Sequence, residues 1–248
     1  QQTLGRDLWG VPGATTGCRV LVPGSFYSTP TQGPFGGVGA RIFRNLPTST
    51  QRPSVNGEES YVTRPRQVSP GDVVFCTRRC TRRQFLLRPD PDTCQILEYC
   101  LAYCAAKYRI ELHEFVVMSN HYHLILSDPL GNRPDFFRDL NKLVSSAINC
   151  RFGQFENLFE PGSYNAVRLL EASDLEDKCV YTLANPTEAG LVPAPRYWEG
   201  VMSWNMAYGE VKQVERPPVY FRDCMPATAA LVLTRPPGFD PRLTDHEA

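Results

Sequence analysis

Apolar and polar positions follow no sustained period until about residue 65, and keep one almost without interruption afterwards. Pro70-Gly71 marks a turn, and Asp72 to Arg78 reads as a strand. In "DPDTCQILEYCLAYCAAKYRI", Ile96, Leu97, Cys100, Leu101 and Cys104 recur at helical spacing, with early acids suited to a helix N-terminus. "ELHEFVVMS" and "HYHLILSD" predict two strands joined by a tight turn at Ser119-Asn120. "RPDFFRDLNKLVSSAINCRF" predicts a second helix, with Phe137, Leu140, Leu143, Val144 and Ile148 on its inner face. "YNAVRLL" is a short strand, and "SDLEDKCVYTLANP" a third helix. Ser173 with Glu176 fits a capping box there, and Pro186 marks the far end. The order predicts an α+β fold: a ferredoxin-like β-α-β-β-α-β antiparallel sheet with helices on one face, and an added C-terminal helix. Beyond it, "YWEGVMSWNMAYGE" is aromatic-rich and irregular, and "ATAALVLTRPPGF" offers one further strand.

Composition changes this picture at the N-terminus. Residues 1–63 are rich in Gly, Pro, Ser and Thr and bury little apolar surface against their ordering entropy. They are expected to be a disordered or non-native extension, followed by a main domain over 64–210 and a partly irregular C-terminal extension over 211–248. The chain begins with Gln, which fits a fragment or a reading frame extended upstream. No apolar run approaches membrane-spanning length, and no signal-peptide pattern opens the chain, so a cytoplasmic protein is expected. The nine cysteines are irregularly spaced and lack C-x-x-C, so they read as small hydrophobes rather than a disulfide framework or zinc knuckle.

Lys and Arg total 26 and so do Asp and Glu, a balance that by itself argues against a nucleic-acid binder. The distribution is uneven. Arg64, Arg66, Arg78, Arg79, Arg82, Arg83 and Arg88 are opposed within their span only by Asp72. One region is therefore either strongly positive or a solvated charged edge.

The chain has four histidines, and two of them, His121 and His123, fall in the apolar run "FVVMSNHYHLIL". In a strand they share one face with Ile125, while Tyr122, Leu124 and Leu126 face the core. Two such imidazoles suit a divalent metal ion, though two ligands are rarely sufficient, and H-x-H also occurs as a polar pair on an exposed sheet face. On the third helix, Tyr181 and Asn185 are four residues apart and so share a side. An Asn oxygen is a candidate third ligand and the tyrosine a group reaching the same site. The alternative is a core aromatic and a helix cap. His113 reads as a surface or supporting residue. Lys178, one turn before Tyr181, reads as solvated or as a contact to phenolate or phosphate.

"FCTRRCTRRQFLL", "MSNHYHLIL" and "YxxxNPxxAGLV", followed by a Trp-containing segment around Trp204, occur in that order between about Arg64 and Glu210. In these words the chain resembles the HUH single-tyrosine transposases, closest to their REP-associated branch. Tyr122 stands where the family has a bulky hydrophobic residue. The resemblance implies that Tyr181 is the nucleophile, that His121, His123 and Asn185 hold magnesium or manganese, and that single-stranded DNA beside a hairpin is cut through a 5′-phosphotyrosine link. Arg78, Arg79, Arg82, Arg83, Lys178 and Trp204 are candidate DNA contacts. It further implies a monomer or homodimer, associated with the bacterial nucleoid when bound to DNA. Two alternatives are a hairpin-binding relic without cleavage, and a hydrolase in which water attacks.

Overall fold

The computed structural model describes residues 67–162 and 164–239. Strands β1 (Asp72–Arg79), β2 (Glu111–Met118), β3 (His121–Asp128) and β4 (Asn165–Arg168) form one antiparallel sheet in the order β2-β3-β1-β4. Helix α1 (Pro91–Tyr108) links β1 to β2, and α2 (Arg133–Phe152) links β3 to β4. Strands β1 and β2 thus run parallel with β3 inserted between them, the split β-α-β arrangement of a ferredoxin-like sheet, as the element order predicts. Helix α3 (Ala172–Glu188) follows β4.

Local chemistry sets the helix boundaries. Asp90 caps α1, accepting from Thr93 N at 3.0 Å and Thr93 Oγ1 at 2.8 Å, with Pro91 in the first turn. Asp128, the last residue of β3, accepts from the amides of Asn132 and Arg133 at 2.8 and 2.9 Å and so caps α2 from the strand end. Gly153, at φ 62°, ends α2 in the left-handed region.

The sheet is covered on both faces. Val74, Cys76, Tyr122, Leu124 and Leu126 pack with Ile96 and Cys100 of α1 and with Phe137, Leu140, Val144 and Ile148 of α2. On the opposite face Phe75 and Ile125 pack with Leu175 and Cys179 of α3. Val116 and Met118 pack there with Trp198 and Met202. Strands β2 and β3 are buried almost throughout, with apolar centres at residues 115–118 and 124–126 and buried polar residues beside them. Cys76, Cys80, Cys100, Cys104 and Cys179 are buried thiols outside any disulfide, and burial pushes Cys80 and Cys104 up to about 12.

Three details differ from the sequence expectation. The capping box at Ser173 does not form: α3 starts at Ala172, ahead of it, and Glu171 makes no side-chain cap bond. Pro186 lies inside α3 rather than closing it, because in the last turn a missing N–H removes only one bond, and Ala189 N still reaches Asn185 O at 3.0 Å. Strand β5 (Val211–Glu215), unforeseen, pairs with β6 (Thr228–Val232), which "ATAALVL" predicts. In β5 only Val214 is buried, so no alternation announces it. Residues 1–63, Arg64 and Arg66 lie outside the described residues. Among those described, no helix is long and apolar enough to cross a membrane.

Candidate active site

The period of β3 places His121 and His123 on the face that α3 crosses. The His123 ring stacks on Phe75 of β1 with centroids 5.2 Å apart, and the Tyr181 ring meets His123 edge-on at 5.5 Å. The two imidazoles are 4.8 Å apart, centroid to centroid. His121, His123 and Tyr181 line one cleft of about 200 Å³ together with Arg79, Arg83 and Asn120. Far from being an exposed sheet face, this one is partly roofed: His123 is 5% exposed.

Each imidazole is anchored through Nδ1. His121 Nδ1 donates to Asn120 Oδ1 at 2.6 Å, and His123 Nδ1 is hydrogen-bonded to Thr77 Oγ1 at 2.9 Å. Thr77 is the residue directly across from His123 in the β1–β3 register, so the ladder itself delivers that hydroxyl. His123 Nε2 is buried without a hydrogen-bond partner. Burial first, then the neighbouring His121, Arg79 and Lys178, pull His123 down to about 3. Burial and then Arg79 lower His121 as well. Both rings are therefore neutral at pH 7. A neutral ring engaged at Nδ1, with a lone pair left at Nε2, is the form that ligates a divalent cation. The orphaned Nε2 of His123 thus fits such an ion.

Among the described residues no three His, Cys, Asp or Glu side chains gather into a metal-binding group. Asn185 is buried, 9% exposed, one turn beyond Tyr181 on α3, but it is not among the cleft-lining residues. The Lys178 ammonium sits 5.3 Å from the Tyr181 ring centroid and 5.4 Å from that of Phe75, lodged against both rings rather than simply solvated.

The remaining candidates separate. Arg79 and Arg83 line the cleft. Arg78 points to the opposite face, donating to Glu160 O at 2.8 Å and lying over the Phe159 ring at 5.5 Å. Arg82 lines a different groove, beside Phe155. Trp204 is half-buried against Val116, Met118, Trp198 and Met202. His113 is not a surface residue. It sits at a bulge between Leu112 and Glu114 and is buried, with Nδ1 2.8 Å from Thr234 O and Nε2 2.7 Å from Ser127 Oγ. Thr77, Phe75 and Asn120 escaped the sequence reading as parts of the site. Asn120 could have been found, since it adjoins the first histidine, whereas Thr77 and Phe75 require the strand register.

No protein-family model matches the chain's sequence, and no curated protein matches it. Solved structures similar to it include a REP-associated tyrosine transposase bound to a REP hairpin, at 20% identity and a TM-score of 0.49, covering 56% of this chain and 81% of that one. Another is a protein from Deinococcus radiodurans R1 assigned as a transposase, at 20% identity and a TM-score of 0.35, covering 47% of this chain and 93% of that one.

Proposed function

We propose that the chain is a DNA nicking and joining enzyme whose nucleophile is Tyr181. The observation that carries this reading is the meeting of Tyr181 with two neutral imidazoles and two arginines in one cleft. A tyrosine hydroxyl is a weak nucleophile and needs help from its surroundings. The Lys178 ammonium, 5.3 Å from the centre of the Tyr181 ring, adds positive charge on that side of the cleft. Arg79 and Arg83 offset the charge on the non-bridging phosphate oxygens. The Tyr181 oxygen attacks phosphorus, the P–O3′ bond breaks, and the leaving oxygen takes a proton to become a free 3′-hydroxyl. The product is a 5′-phosphotyrosine. A second 3′-hydroxyl reverses the step and releases Tyr181, so joining needs no nucleotide cofactor. Magnesium or manganese held at Nε2 of His121 and His123, with Asn185 as the third donor, would polarise the phosphate. The substrate is single-stranded DNA flanking a hairpin.

The test is a pool of hairpin oligonucleotides with randomised single-stranded flanks, incubated with manganese and resolved under denaturing conditions. A covalent protein–DNA adduct is expected, and Tyr181→Phe removes it while hairpin binding persists. An equal adduct yield from Tyr181→Phe would refute the role. Free 5′-phosphate ends without an adduct would indicate attack by water, and chelator-insensitive binding without any cleavage a recognition module. Asn185→Ala should weaken manganese affinity, read directly by calorimetry. Unchanged affinity removes Asn185 from the ligand set.

A further inference from the structure

On the other side of the Cys80–Gln84 turn from the cleft lies a groove that the chemistry above does not use. We propose that this groove holds an unpaired nucleotide of the same DNA strand, with its base stacked on Phe155. The inference rests on the DNA reading of the cleft. Arg82 and Arg83 are consecutive residues at φ 53° and 56°, a backbone conformation that residues other than glycine avoid. Their side chains diverge. Arg83 lines the cleft of the histidines, while Arg82 lines a groove of about 410 Å³ with Thr81, Gln84, Phe155, Glu156 and Asn157. A strand leaving the cleft across this turn meets an arginine on either side of it.

Phe155 forms the divide between that groove and a neighbouring one of about 400 Å³ along α2, lined in part by Arg78, Lys142, Ser145 and Asn149. Its side chain is 99% exposed, yet its loop is pinned. Thr81 Oγ1 donates to Asn157 O at 2.7 Å and Thr81 N to Leu158 O at 2.9 Å. Asn149 Nδ2 donates to Glu156 O at 2.7 Å, and Gln154 N to Asn149 O at 2.9 Å. A fully exposed aromatic on a fixed loop, bordered by cations, hydroxyls and amides, is a stacking platform already in place, with little ordering left to do on binding. Glu156 lines both grooves and Glu160 the second, so neither is a strongly cationic track. Affinity there comes from the base, not from neutralising phosphates.

The probe is a fluorescent hairpin oligonucleotide with and without a single-stranded oligothymidylate flank, titrated by anisotropy at several salt concentrations. Phe155→Ala is expected to bind the flanked hairpin about tenfold more weakly. Phe155→Trp restores the affinity, and the salt dependence is the same in all three proteins, because no phosphate contact is lost. The blunt hairpin binds equally well to wild type and Phe155→Ala. Since Phe155 buries almost nothing, the alanine variant keeps the fold. Unchanged affinity of Phe155→Ala for the flanked hairpin overturns the nucleotide site alone. A wild-type protein that binds neither hairpin overturns the DNA reading with it.

Discussion

At the scale of single residues, the candidate chemistry depends less on the histidines than on what holds them. An imidazole left to itself interconverts its tautomers and orientations. Here Thr77 and Asn120 each engage one Nδ1, at 2.9 and 2.6 Å, which leaves the paired Nε2 atoms to a ligand. Thr77→Val keeps the shape but strands a buried ring nitrogen. It is expected to cost about 1 kcal/mol of stability and to lower manganese affinity by about tenfold or more. Calorimetric titration with manganese measures this without any DNA, and Thr77→Ser should recover most of it. Manganese affinity identical in Thr77→Val and wild type would show that the hydroxyl does not orient the ring.

At the scale of elements, the position of α3 decides whether Tyr181 faces the histidines. The segment after α3 secures it: Trp198 packs with Val116 and Met118 of β2, alongside Leu183 of α3, and Trp198 Nε1 donates to Val117 O at 3.2 Å. Gly200 makes room for this indole, since a Cβ there would lie 2.4 Å from Trp198 Nε1. Gly200→Ala therefore has to move the ring off β2, at an expected cost of about 1–3 kcal/mol in urea unfolding. A midpoint equal to wild type would mean that the indole anchor is dispensable. The same elements show what a sequence can disclose. Helices α1 and α2, the β2–β3 hairpin and the shared face of His121 and His123 are legible, because periods of 3.6 and 2 are written in apolar residues. That α3 crosses the histidine face is not legible as geometry, because Leu175, Cys179 and Tyr181 would look the same on a helix packed elsewhere. Neither is β5, whose exposed positions carry no alternation, nor the burial of His113, which sits at a bulge that breaks the period of β2.

At the scale of the whole molecule, β2 is the seam where the C-terminal segment meets the sheet. Ser203 and Tyr208 both donate to the carboxylate of Glu114, and His113 joins Thr234, beyond β6, to Ser127 of β3. This seam is sensitive to acid. His113 is fully buried, and burial lowers its pKa below the ordinary 6.5, against the smaller opposing effects of the Thr234 carbonyl and Glu111. Below pH 6.5 the unfolded chain takes up a proton that the folded chain refuses. The contribution of neutral His113 is thus complete above pH 6.5 and declines as the pH falls, by up to about 1.4 kcal/mol per pH unit. His121 and His123 are depressed in the same direction, so wild type alone cannot isolate the seam. A comparison with His113→Gln can, because the other two titrate in both proteins. The variant should be less stable at pH 7.5, having lost the imidazole's fit between Thr234 and Ser127, yet lose less stability between pH 6.5 and 4.5. Urea midpoints measured with chelator across that range decide it. Parallel curves for the two proteins would mean that His113 accepts its proton in the folded state, and that the C-terminal segment stays on the sheet without regard to it.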